Sequence, residues 1–268
     1  MTKRGFTLVE VVVAISVLGI VAAMAAVFIK PPIDAYFAQQ RRAELTDVAD
    51  TALRRMARDI RLALPNSVRT SGGVYLEFLL TRTGGRYRSG PGPGAEDPLD
   101  FSIADDQFDT LEPLSALTDQ VPQAGDLVVV HNLGITGADA YAGDNTGIVN
   151  TFTAPGPVEA DEDRITLSPA KQFPLESPGR RFQVVSGPVT YRCFSGQLLR
   201  YDGYAIVAAQ PTPPAGTPSV LANYVTDCNF DYTSLALQAR GLVALRLQLT
   251  RDGEVVTLYH EVHVNNVP

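Results

Sequence analysis

A single carboxylate stands where charge is costly. Glu10 lies inside a run from Phe6 to Ile29 whose only other polar residues are Thr7 and Ser16. Within an apolar span a charge costs roughly 2.5 to 3.5 kcal/mol at mid-membrane, and less toward the edge. Such a group normally has a partner, so the chemistry expected of Glu10 is ion pairing. Two cations, Lys3 and Arg4, stand just before Gly5 and Phe6.

The other groups with reactive side chains are few. His260 and His263 are three apart in a stretch that reads as a strand, so they point to opposite faces and cannot share one ion. His260 falls on the apolar face with Leu258 and Val262, the setting of a hydrogen-bonded core histidine. His131 ends an apolar stretch without an evident catalytic partner. The runs Asp139-Ala140-Tyr141-Ala142-Gly143-Asp144-Asn145 and Glu159-Ala160-Asp161-Glu162-Asp163 gather oxygens of the kind calcium prefers, but neither has EF-hand spacing; solvated loops are the other reading. The chain has no Gly-x-Ser-x-Gly elbow, phosphate loop, dinucleotide fingerprint or His-Glu-x-x-His. Neither enzymatic activity nor a metal or cofactor is expected.

Position comes from the elements around these groups. The 24 residues from Phe6 to Ile29 make a helix of roughly 36 Å, enough for a hydrocarbon core of roughly 30 Å. Lys3 and Arg4 keep the N-terminus cytoplasmic and place everything after Lys30 outside. A cleaved secretory signal ending at Ala23-Met24-Ala25 is the competing reading, and it leaves Glu10 unexplained. With both cysteines outside the cytoplasm, Cys193 and Cys228 are expected to form a disulfide. A loop of that length is worth roughly 3 to 4 kcal/mol in the chain-entropy picture.

Pro31 and Pro32 lack backbone N–H groups, which predicts a kink or break at the membrane surface. A second helical pattern follows: Leu45, Val48, Ala49, Ala52, Leu53, Met56, Ile60, Ala63 and Leu64 form an apolar stripe. Arg41, Arg42, Asp47, Arg54, Arg55, Arg58, Asp59 and Arg61 lie mostly off it, either as a solvated face or as partners for acidic neighbours. Pro65-Asn66 is expected to end this helix. Strands are expected at 74–80, 99–103, 127–130, 164–167 and 182–185, as an antiparallel sheet packed on the amphipathic half of the helix. Ser89 to Gly94 and Pro211 to Gly216 read as loops. Val243, Leu245, Leu247 and Leu249 alternate with polar residues, Asp252-Gly253 turns the chain, and Val256, Leu258, Val262 and Val264 return it as a hairpin.

The chain carries 22 Lys plus Arg against 29 Asp plus Glu, and from Pro65 onward 13 against 23. That acidic surface excludes sequence-independent nucleic-acid binding.

The stretch Lys3-Arg4-Gly5-Phe6-Thr7-Leu8-Val9-Glu10 resembles the type III signal of type IV pilins and of type II secretion pseudopilins. The resemblance implies cleavage by prepilin peptidase between Gly5 and Phe6, N-methylation of Phe6, and a salt bridge during assembly from Glu10 to the N-terminal amine of a neighbouring subunit. It implies an α+β, type IV pilin-like fold: a long bent N-terminal helix packed on an antiparallel β-sheet. The parts would be a leader at 1–5, a transmembrane and assembly helix at 6–30, an amphipathic helix at 31–64 and a β-rich periplasmic or extracellular domain at 65–268. Implied partners are other pilins or minor pilins, prepilin peptidase and the inner-membrane assembly platform. The protein would sit in the bacterial inner membrane with its C-terminal domain in the periplasm, and in the pilus after assembly.

Further segments narrow the resemblance. Arg41 to Arg61, Ala63 to Arg69, Val189 to Cys193, Cys228 to Tyr232 and the closing His263-Val264-Asn265-Asn266-Val267-Pro268 are similar to MSHA-type (mannose-sensitive haemagglutinin) minor pilins of the O type. Residues 71–187 contribute nothing to it. One departure is that pilins often carry a proline about a turn earlier in the helix than Pro31. Within the same class stands a J-type pseudopilin of a type II secretion system. Outside it stands a tethered periplasmic enzyme or binding module, in which Glu10 would have no use.

Overall fold

The structure, a computed structural model, describes residues 5–92, 94, 96–154, 162–235 and 240–268. Thr7 starts the first helix, α1 (Leu8–Phe28). Its backbone is extended, and its hydroxyl accepts the Glu10 N–H at 3.3 Å, satisfying a donor that the first turn leaves open. No residue of α1 is buried. The second helix, α2 (Lys30–Arg61), follows after Ile29 alone. Ile29 still donates to Ala25 at 3.0 Å, but Pro31 and Pro32 cannot donate to the carbonyls one turn back, so the ladder breaks there as expected.

The face that α2 buries comprises Leu45, Ala49, Ala52, Leu53, Met56, Ala57 and Ile60. Val48, expected on that stripe, is exposed, and Asp59, expected off it, is buried. The helix ends at Arg61 rather than at Leu64. Strand pairing takes over: Leu64 N–H donates to Leu79 O and Thr81 N–H to Leu62 O, both at 2.8 Å, and Ala63 bridges Leu80.

Twelve strands follow among the described residues: β1 (Arg69–Ser71), β2 (Tyr75–Arg86), β3 (Asp105–Asp109), β4 (Leu127–Val130), β5 (Thr146–Thr153), β6 (Arg164–Lys171), β7 (Arg181–Phe194), β8 (Gln197–Tyr201), β9 (Ser219–Asn223), β10 (Val225–Leu235), β11 (Arg240–Arg251) and β12 (Glu254–Asn265). They form two antiparallel sheets instead of one. The larger runs β1-β2-β7-β4-β5-β6-β3, with β8 on β7 and β9 on β8; the smaller is β10-β11-β12. Residues 99–103, expected as a strand, form a loop. Asp100 accepts both the N–H and the hydroxyl of Ser102 at 2.7 Å, closing a turn, while Leu99 is buried and Phe101 packs against Tyr87 and Phe173. Apolar character there anchors a loop to the core. The two predicted loops have no regular structure, Pro93 lying outside the described residues.

The C-terminal hairpin has the expected register. Leu245 faces His260, Val243 faces Val262, and the turn at Asp252-Gly253 takes φ of 49° and 82°, the left-handed region that Asp and Gly tolerate. Val243, Leu245, Leu247 and Leu249 are buried against α2 and β10, in a core that also contains Phe78 and Tyr191. A second core, around Tyr87, Phe108, Ile165 and Phe182, fills the far end of the large sheet. The long strand β7 runs through both, with Val189 and Tyr191 in the first and Phe182 and Val184 in the second.

Candidate functional site

The N-terminal segment has an unusual property: among the described residues no side chain packs over it closely enough to bury any residue of α1. Phe6 and Leu8 are about four-fifths exposed, at 79% and 81%, and every apolar side chain of α1 faces outward. A helix that is apolar on all faces belongs in a membrane or among other helices. α1 opens the helical stretch Leu8–Arg61, which is long and apolar enough to cross a membrane. A Cβ added to Gly5 would meet no atom within 4 Å. Among the described residues nothing in the fold requires glycine at that position. Glu10 lies in the first turn, where a carboxylate suits the helix dipole, and among the described residues its carboxylate has no partner.

Cys193 on β7 and Cys228 on β10 are joined as a disulfide, with Cα atoms 6.5 Å apart and 35 residues between them in sequence. The bond ties the larger sheet to the smaller one. His260 and His263 face opposite sides of β12 as expected, but His260 is not a hydrogen-bonded core residue. It is half-buried in a cleft beside Arg54, Arg58 and Arg61. His131 follows β4 with φ of 53°, and burial lowers its pKa.

The acidic runs are spent on local structure. Asp139 accepts the Tyr141 N–H at 2.9 Å and Asp144 the Gly137 N–H at 2.8 Å. Glu159, Ala160 and Asp161 lie outside the described residues. Glu162 pairs with Arg88, and Asp163 accepts the N–H and hydroxyl of Ser115. Among the described residues no group of three His, Cys, Asp or Glu side chains is placed to hold a metal.

Sequence reasoning missed three polar clusters. Asp59 accepts from Arg200 Nε at 2.9 Å and from the Tyr191 hydroxyl at 2.7 Å. Its spacing of three from Met56 was the available signal, since it puts Asp59 beside the buried stripe. Glu77 is fully buried on β2, with Arg69 Nη2 at 2.9 Å. Burial pushes the Glu77 carboxyl up from the usual range, and Arg69 opposes that. Arg69 also lies 3.6 Å over the Tyr141 ring and donates to Val207 and Ala208 carbonyls. Asn66, in the left-handed region at φ 59°, donates its backbone N–H to Asn266 Oδ1 and its side-chain amide to the carbonyls of Asn132 and Asn266. This amide cluster pins the C-terminal tail to the exit of α2.

Residues 1–26 match the family described as the Prokaryotic N-terminal methylation motif, a type IV pilin-like signal. No curated protein and no solved structure matches the chain. The match covers the start of the chain and most of α1. Beyond it stands an α+β fold, one long bent N-terminal helix packed on antiparallel sheets, consistent with a type IV pilin-like architecture.

Proposed function

We propose that the chain is a minor pilin of an MSHA-type type IV pilus, cut by prepilin peptidase between Gly5 and Phe6 and N-methylated at Phe6. The observation that carries this reading is α1 itself: a methylation signal leads into a helix with every apolar side chain outward and, in its first turn, a carboxylate without a partner among the described residues. In the inner membrane lipid covers those side chains, with the β-rich domain in the periplasm. In a filament other pilins cover them, each buried side chain being worth roughly 1.5 to 3 kcal/mol against water. Lipid and neighbouring helices are both apolar, so burial alone does not fix the register between subunits. Glu10 does, because its charge is satisfied where the next subunit's amine lies beside it. Extraction from membrane to filament would require the inner-membrane assembly platform.

The same signal serves type II secretion pseudopilins, and the motif matched is common to both. A tether would need the apolar run but not Glu10. The test is Glu10→Ala in the producing cell. The variant should remain in the membrane and be missing from sheared filaments; normal incorporation overturns the role of Glu10. Loss of a secreted enzyme, with surface filaments unaffected, would move the reading to the pseudopilin.

A further inference from the structure

The two edges of the small sheet are treated differently. On β10, Phe230 N–H donates to Gly73 O at 2.7 Å and Cys228 is bonded to Cys193, so that edge is held against the larger sheet. On β12, twelve residues long, no backbone group bonds to anything but β11 among the described residues. A free edge of this length is a template for another strand, and proteins usually blunt it with lysine, proline or a covering segment. The segment from Glu254 to Asn265 has neither lysine nor proline.

What lies beside that edge sets the chemistry of a partner. β12 runs along α2, joined to it near one end by the Glu254 pair with Arg42 and just past the other by the Asn266 bond to Asn66. Between these points a cleft of about 520 Å³ opens, lined by Ala57, Arg54, Arg58, Arg61 and His260, with Asp50 as its one carboxylate. Arg54 pairs with Asp50, but Arg58 and Arg61 have no ion pair among the described residues. The part of the chain after Leu64 carries ten more acidic than basic side chains, 23 against 13. A cationic cleft on such a body is complementary to acidic protein surface. Lipid headgroups are out of reach: from Lys30 to Arg54 the helix rises roughly 36 Å.

We propose that the β12 edge and the arginine cleft form one docking groove for an extended acidic segment of a partner subunit. The segment adds as a strand to β12, and its carboxylates reach Arg58 and Arg61. Backbone pairing gives affinity, and alternate side chains give specificity. The surface is separate from α1, so its failure would leave the role of Glu10 standing.

The test uses the full chain in detergent micelles and a fluorescent octapeptide alternating Val and Glu, read by anisotropy. Saturable binding is expected, weakening as salt rises, with no binding of a Val and Lys counterpart. Arg58→Glu with Arg61→Glu should lower affinity about tenfold or more. Peptides N-methylated on one or the other alternate set of amides keep their charge and address the unaltered protein. One set should abolish binding and the other leave it, because a strand presents one edge to its neighbour. Equal binding by both methylated peptides overturns strand addition. Undiminished binding by the double variant overturns the cleft, and absence of saturable binding overturns both.

Discussion

Arg200 Nε lies 2.9 Å from Asp59 Oδ2, and the Tyr191 hydroxyl donates to the same oxygen at 2.7 Å. Three elements far apart in sequence, α2, β7 and β8, thus converge on one carboxylate. Both members of the pair are about nine-tenths covered, at 11% side-chain exposure. Asp59 adds a polar tie from the helix to the larger sheet, beside a hydrophobic stripe that packs against residues of both sheets.

Asp59→Ala should therefore destabilise the domain by about 2 to 3 kcal/mol, because the Tyr191 hydroxyl and Arg200 Nε lose this acceptor while Arg200 keeps its pair with Asp202. Thermal unfolding of the full chain in detergent, followed by circular dichroism, checks this. Asp50→Ala removes only an exposed pair with Arg54 and should shift stability by less than about 1 kcal/mol.

Cys193→Ser with Cys228→Ser should lower stability by roughly 3 to 4 kcal/mol, the loop-closure value for a separation of this size. The measurement is the melting temperature with and without reductant. The native protein should lose stability on reduction, and the double variant should not respond.

Arg69→Ala should make stability depend on pH in a direction unusual for a carboxylate. Burial raises the Glu77 carboxyl in the folded state, and Arg69 opposes the rise. A raised folded value means that the native state holds the proton more tightly than the unfolded chain. Stability is then greatest below the unfolded value, near 4.5, and declines as pH rises toward the folded value. Removing Arg69 widens that window. The variant should be weakened by about 3 kcal/mol at neutral pH and recover part of it on acidification toward pH 5. Stability profiles of the two proteins between pH 4 and 8 test this; parallel profiles would refute it.

Asn266→Ala should cost about 1 to 2 kcal/mol, because the Asn66 N–H loses its acceptor and the Tyr232 hydroxyl its donor. Hydrogen exchange at the exit of α2 should rise, while exchange in the second core around Phe108 stays unchanged.

Gly5→Ala should block the proposed cleavage after Gly5 without disturbing the fold, since no described residue beyond its chain neighbours comes within 4 Å of the added methyl group. Intact mass reads the outcome: the variant keeps its first five residues, and the native protein begins at a methylated Phe6.

Legibility followed the range of the interaction. The α1 run, the break at Pro31 and Pro32, and the β11–β12 hairpin depend on residues near one another, so periodicity and turn chemistry revealed them. Residues 99–103 misled because Leu99 and Phe101 are apolar for the sake of a distant core, while Asp100 forms a turn with Ser102 next to it. Val48 misled because the burying surface does not extend over it.

The chemistry of the N-terminus is legible in the order of residues alone: the signal around Gly5, the carboxylate at Glu10, the apolar length of α1 and the oxidised fate expected of Cys193 and Cys228. These are local or compositional properties, written in order along the chain. Long-range packing is what makes two sheets, buries Asp59 and Glu77 with arginines 141 and 8 residues away, and leaves β12 with an open edge beside Arg58 and Arg61. Each depends on which surfaces meet, and a charge shows the same letter whether it ends in water or against a distant partner. Burial, a sum over the whole fold, tells these cases apart.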